Sequence, residues 1–270
     1  MYNCQILLDA KSLNKFLEIN YYFQMKKPNV LRHARHIMLK EIGGHGQKLI
    51  ANSSVAIVGM GGLGAPCSLY LAAAGIGKLI LIDDDDVELS NLQRQIIYQT
   101  KHVGIAKTQA AKNALLGLDP DIEILTQQTR LTPENAAEIL ANADIIIDGT
   151  DNFETRFIVN SAAFKLNKIL ISGALGRFDG QVCAFDFRSG RGPCYQCFVP
   201  QPPPRAETCA QLGVVGALAG IIGTIMALEA VKIITSAGNS LIGRILLYDG
   251  LEATSRTIRL LPDENCKTCS

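Results

Sequence analysis

A doubly wound α/β fold, built on a Rossmann-like and mostly parallel sheet, is the architecture this sequence predicts. Three observations carry the prediction. The stretch SSVAIVGMGGLGAPCSLYLAAAGIGKLILIDDDDVELS, starting at Ser53, reads as an apolar strand, a glycine turn, an alanine-rich helix and a second apolar strand ending in acids. Helix and strand patterns then alternate as far as Ser172. Beyond that point the apolar period drops to two.

Taken in order, residues 1–29 show no clear period and stand apart as an N-terminal extension, within which Met25 offers an alternative start. Residues 30–270 are expected to form one domain. After the first βαβ unit come a helix near Lys107–Leu116, a strand at Ile122–Thr126, a helix opened by the start signal Leu131-Thr132-Pro133-Glu134, and a strand at Asp144–Asp148. Such alternation places parallel strands between two layers of helix. A strand at Ile169–Ser172, the period-2 segment GQVCAFDF and the late strand RILLYDG extend the sheet, with antiparallel strands expected at its C-terminal end. Between them, the Pro-, Gly- and Cys-rich stretch Gly190–Thr208 reads as a long surface crossover. GVVGALAGIIGTIMALEAVKIIT is the most apolar segment, but only 17 residues run from Leu212 to the position before Glu229. A bilayer span needs roughly 20, so a glycine-packed core helix is expected instead.

Composition narrows the function. Hydrophobic residues make up 48% and charged ones 19%, enough for a large core. Lysine and arginine total 26 against 25 acids, a net charge of +1, so no long-range field draws the chain to nucleic acid or an anionic membrane. Any anion site must be local. The opening residues MYNCQILLDAKSLNKF lack the pattern of a secretory signal, which points to the cytoplasm.

Gly59, Gly61 and Gly64, with Gly62 among them, form G-x-G-x-x-G between a strand and a helix, where backbone N–H groups and a helix N-terminus approach phosphate. Asp83 closes the next strand, where a carboxylate accepts bonds from ribose hydroxyls. These features alone suit an NAD-dependent oxidoreductase, or a tight turn with no ligand at all. The segment DDDDVELSNLQRQIIYQTKHVGIAK shifts the reading to ATP, because it sets four acids beside Asn91, Arg94 and Lys107, and a triphosphate needs cations such as Arg94 and Lys107 for charge neutralisation.

Together IVGMGGLG, DDDDVELSNLQRQ, GTDN at 149–152 and two CxxC pairs resemble the sulfur-carrier adenylyltransferases of thiamine and molybdopterin synthesis, relatives of ubiquitin-activating enzymes. The resemblance covers residues 30–269. It implies that Asp151 holds magnesium, that Asp83 and the neighbouring Asp85 belong to the nucleotide site, and that Asn91, Arg94 and Lys107 contact the phosphates of ATP. It also implies that Arg35, in LRHARHIML, is donated by a partner subunit, which makes the active unit a homodimer. The other reading of Asp151 is an N-cap of the helix beginning near Phe153. The partner implied is a ubiquitin-like carrier ending in Gly-Gly, whose terminal carboxylate is adenylated and then converted to a thiocarboxylate. DDDDV, GVVG and LLYDG stand slightly closer to the thiamine branch. With the sequence ending at Ser270, no rhodanese domain follows, so the sulfur donor is expected to be a separate protein. A non-catalytic, zinc-stabilised scaffold that binds the carrier is the third reading.

Cys194, Cys197, Cys266 and Cys269 form two C-x-x-C pairs, a ligand set that closes a tetrahedral zinc shell and leaves no position for water. Their wide separation also admits separate redox pairs. Cys209, in RAETCAQLGVVG, precedes the apolar helix; it is either a thiolate nucleophile, the role the resemblance links to a covalent intermediate, or an unreactive thiol.

Overall fold

The computed structural model describes residues 29–190, 192–202 and 213–270. In chain order the elements are α1 (Ala34–Ile37), α2 (Gly43–Ala51), β1 (Ser54–Val58), α3 (Gly64–Ala73), β2 (Lys78–Ile82), α4 (Lys107–Leu118), β3 (Glu123–Gln127), α5 (Ala136–Leu140), β4 (Ile145–Asp148), α6 (Phe153–Lys165), β5 (Ile169–Gly176), β6 (Asp179–Asp186), α7 (Tyr195–Phe198), α8 (Gly216–Thr235), β7 (Arg244–Asp249) and β8 (Thr254–Arg259). Single 3-10 turns lie at Leu89–Asn91 and Thr100–His102.

Among the described residues, eight strands join one sheet in the order β3-β2-β1-β4-β5-β6-β7-β8. Pairing is parallel from β3 to β5 and antiparallel from β5 to β8. The chain winds outward from β1 to β3, then returns to the other side of β1 as β4. That reversal puts a crevice at the carboxyl ends of β1 and β4, the place where open α/β sheets bind ligands.

The unbroken apolar runs of the central strands are explained by burial on both faces. Val55 and Ile57 of β1, with Leu79 and Leu81 of β2, enter one core; Ala56, Val58, Ile80 and Ile82 enter the other. Helix α8 packs on α2, α3, β5 and β6 and inserts Leu218, Ile222 and Met226 into the first core. Gly223 permits this approach, because a Cβ there would come within 2.5 Å of the Leu63 carbonyl oxygen. Among the described residues α8 is the one helix long and apolar enough to cross a membrane. Its buried Glu229 accepts a hydrogen bond from the Leu241 N–H at 2.6 Å and pairs with Lys232, which ties the helix to the following loop.

Several boundaries differ from the sequence reading, β5 among them in running on to Gly176, and one strand, β8, is additional to it. Strand β3 is shifted by one residue, to Glu123–Gln127. Helix α5 starts only at Ala136, because the Asn135 side chain accepts from the Thr132 N–H at 2.8 Å and closes residues 132–135 as a turn. Strand β8 has no pattern of its own: every residue of TSRTIR is exposed, so no buried face imposes a period.

Candidate active site

The glycine loop fixes the floor of the crevice. Gly59 follows β1 at φ +86°, a left-handed conformation, and a Cβ there would lie 3.1 Å from the Gly149 carbonyl carbon. A Cβ on Gly64 would sit 2.0 Å from the Gly59 carbonyl oxygen. The loops after β1 and β4 therefore touch through bare backbone, and α3 begins without a side-chain cap. Tyr98, which the sequence reading passed over, supports the loop from beneath by donating to the Met60 carbonyl at 2.8 Å.

On the β2 side, Asp83 is only 9% exposed. One of its carboxylate oxygens accepts from the Met60 N–H at 2.7 Å and the other from the Asp85 N–H at 2.9 Å, leaving a lone pair on each for a ligand. Burial raises its pKa, against the lowering influence of Lys107. Lys107 opens α4, and its ammonium lies 2.7 Å from Asp85 and 3.9 Å from Asp83. The carboxylates of Asp83, Asp84 and Asp85 cluster closely enough to hold a cation. Asn91 is buried and its amide oxygen accepts from the Glu88 N–H at 3.3 Å, while Arg94 donates to the Ser90 carbonyl at 3.2 Å.

On the β4 side, Asp148 is 1% exposed and fully engaged. It accepts from the Thr150 hydroxyl at 2.6 Å, the Thr150 N–H at 3.1 Å and the Ser172 hydroxyl at 2.8 Å, and it pairs with Arg156 at 3.5 Å. Arg156 also donates to the Thr150 carbonyl. Burial works to lower the Arg156 pKa, but Asp148 reverses the effect and holds it above its usual range. This cluster shapes the loop that carries Asp151. Asn152, not Asp151, caps α6, its side chain accepting from the Thr155 N–H at 2.9 Å. Asp151 stands exposed on the cleft wall, so the N-cap reading of it is set aside.

Gly59, Gly61, Gly62, Asp83, Asp85, Asn91, Arg94, Lys107 and Asp151 all line a single cleft of about 750 Å³, with Gly64 packed beneath the loop. Arg130 lines it as well, a cation the sequence did not single out. Arg35 is exposed on α1 and is not among the lining residues. Cys209 and the N-terminal extension lie outside the described residues, apart from Asn29 at its end.

The four cysteines converge. Cys194 and Cys266 sulfurs are 3.5 Å apart, Cys197 and Cys269 3.4 Å, and Cys194 and Cys197 3.9 Å. A tetrahedral shell with zinc–sulfur bonds of about 2.3 Å requires sulfurs about 3.8 Å apart, while a disulfide requires about 2 Å. The Cys194 and Asp263 N–H groups donate to Cys197, and the Thr268 N–H to Cys266. Such donors favour thiolates, so the set could hold zinc.

Residues 33–268 match the ThiF family. A sulfur carrier protein adenylyltransferase from Thermus thermophilus is 42% identical over 248 residues, 90% of this chain and 92% of that protein. The adenylyltransferase and sulfurtransferase MOCS3 of Aedes aegypti is 41% identical over 263 residues, 96% of this chain but 60% of the relative, so the chain spans about 60% of the length of such relatives. Among solved structures, E. coli MccB with MccA-N7isoASN superimposes at a TM-score of 0.79 and 20% identity, over 97% of this chain and 83% of that one, a likeness of fold. The glycine loop, the acids beyond β2, the Asp151 loop and both CxxC pairs fall inside the matched span or at its edge: the chain belongs to the ThiF family.

Proposed function

We propose that the chain uses ATP to adenylate the C-terminal glycine carboxylate of a ubiquitin-like sulfur-carrier protein ending in Gly-Gly. The observation that carries the reading is one cleft in which cations and carboxylates face each other across the switch point, Arg94, Lys107 and Arg130 with Asp83, Asp85 and Asp151. A carboxylate oxygen of the carrier attacks the α-phosphorus, the bond to the α–β bridging oxygen breaks, and pyrophosphate leaves with the electron pair. The carboxylate is already ionised, so the site needs alignment and charge stabilisation rather than a general base. Lys107 exchanges Asp85 for a phosphate oxygen, and Asp83 holds the ribose through its free lone pairs. Asp151 is the residue that would hold magnesium, whose charge offsets that of the phosphates when bound. No group in this arrangement calls for hydride transfer.

A second groove, of about 660 Å³, runs over β6, β7 and β8 and shares Ala174, Leu175 and Gln181 with the cleft. An extended carrier tail fits that continuity, passing from the antiparallel sheet to the phosphate site. Arg35 is flanked by exposed Leu31, Met38 and Leu39, which suits an arm docked on a second subunit and its donation across a homodimer. Sulfur then displaces AMP, with Cys209 the candidate for a covalent intermediate. DDDDV, GVVG and LLYDG stand slightly closer to a thiamine-type carrier, whereas relatives named MOCS3 and MoeZ lean to a molybdopterin-type one, so both are candidate substrates.

Carrier-dependent exchange of labelled pyrophosphate into ATP tests the proposal, with both carrier types offered, each with and without its terminal glycine. Exchange with one intact carrier is expected and names the branch. No exchange with either, from folded and zinc-loaded protein, removes the adenylation reading. Mixed Arg35→Ala and Asp151→Ala subunits should recover activity if the arginine crosses between chains.

A further inference from the structure

The cysteine pairs and the nucleotide motifs are far apart in sequence, yet they meet on α7. Tyr195 lies between Cys194 and Cys197, and Phe198 follows; both side chains line the nucleotide cleft. Tyr195 is 2% exposed, with the Arg156 guanidinium 6.0 Å from its ring centroid and the Phe157 ring edge-on at 5.9 Å. The link between the two sites is Asn160, which is fully buried in the middle of α6. Its amide oxygen accepts from the Tyr195 N–H at 2.9 Å, which fixes the amide orientation, and its amide nitrogen then donates to the Cys194 sulfur at 3.5 Å. One turn earlier on the same helix, Arg156 donates to the Thr150 carbonyl beside Asp151. A continuous path thus runs from the Cys194 sulfur, through one side chain and one helix, to the Asp151 loop on the cleft wall.

We infer that Asn160 is a positioning residue that couples occupancy of the four-cysteine site to nucleotide binding, so that the metal does more than clasp the C-terminus. The inference rests on the proposed nucleotide reading of the cleft. Coupling of this kind is reciprocal: if the held knuckle favours the nucleotide-binding geometry of the Tyr195 wall and the Asp151 loop, bound nucleotide must in turn retain the metal.

The test uses the full-length, zinc-loaded chain. Zinc affinity is measured by equilibrium competition with a chromogenic chelator, with and without saturating ATP, and ATP affinity is measured separately by calorimetry. ATP should tighten zinc binding about fivefold or more. Asn160→Asp keeps the acceptor for Tyr195 but sets a negative oxygen against the Cys194 thiolate; Asn160→Ala removes both bonds without adding charge. In each, the tightening should fall to about twofold or less, with the ATP affinity of the zinc-loaded chain reduced by the factor lost. Leu115→Ala, in the opposite core, controls for general destabilisation and should keep the full nucleotide effect. ATP that binds the wild-type chain without tightening zinc binding overturns the coupling, as does full tightening in both Asn160 variants. Absence of ATP binding to the wild-type chain removes the nucleotide reading and the inference with it.

Discussion

On the β2 side of the cleft, Lys107 holds Asp85 at 2.7 Å, and the Asp85 side chain is 65% exposed. On the β4 side, Arg156 and Asp148 are 6% and 1% exposed, and Thr150 and Ser172 take up the remaining carboxylate bonds. Both are cation–carboxylate pairs at strand ends, but they are built for different ends. The Lys107 pair keeps one partner in water, so the ammonium can be given up to an incoming anion at small cost. The Arg156 pair has no such freedom, since every polar atom of Asp148 is committed and withdrawal of the cation strands a buried charge. On the proposed reading, one cluster meets the ligand and the other holds the loop that faces it.

The sharpest way to break this comparison is Arg156→Met. Removing one member of a buried pair costs about 3–5 kcal/mol, which for a domain of this size lowers Tm by roughly 6–20 °C. A thermal melt that moves by only a degree or two would mean that Asp148 finds another partner and that the cluster is no scaffold. Asp151→Asn should behave in the opposite way. Pyrophosphate exchange is expected to fall by about two to three orders of magnitude, while Tm stays nearly constant because the side chain is exposed.

Lys107→Met sharpens the contrast through pH. Asp83 is already raised by burial, with Lys107 its main opposing influence. A carboxyl whose folded pKa lies above its unfolded value, about 3.9, binds protons more readily when folded, so stability falls as pH rises from that value to the folded pKa. Without Lys107 the window extends upward. Denaturant titrations from pH 4 toward neutrality should show a steeper and longer decline in Lys107→Met than in the wild-type chain; parallel curves would show that Asp83 does not depend on the ammonium.

The two sides also differ in how much the sequence disclosed. Gly59, Gly64, Asp83 and Lys107 were legible because their chemistry is local: a glycine pattern at a strand–helix turn, an acid closing an apolar strand, and a base just beyond it. The cysteine set was legible from spacing. Arg156 was not, because its partners lie on β4 and β5 and no short-range period marks such a pairing; the available signal was an aspartate ending the otherwise apolar IIID strand, with an arginine in the first turns of the next helix. Tyr98 and Met60 meet across 38 residues, again beyond any local pattern. Asp151 and Asn152 compete for one cap, and only the structure assigns it. Polar β8 is held by its pairing with β7 rather than by a buried face of its own.

The smallest expected effect concerns the arm that carries Arg35. His33, two residues away, is 6% exposed, packs on bare Gly75, and has no hydrogen-bond partner for either ring nitrogen among the described residues. Burial lowers its pKa from the usual 6.5, with Asp119 opposing. A histidine buried neutral binds fewer protons folded than unfolded, so its contribution to stability is present above about 6.5 and is lost as pH falls from there through the folded pKa. Acidification should therefore loosen the segment around Arg35 before the rest of the domain responds. Hydrogen exchange of residues 29–38, compared at pH 7.5 and 5.5 after correction for intrinsic rates, should show lost protection in the wild-type chain. His33→Gln, which cannot charge, should show little difference between the two pH values. Equal pH sensitivity in both would mean that the arm is held by its other contacts, such as the Arg32 bond to the Leu118 carbonyl and the His36 contact with Gln47, rather than by the neutral imidazole.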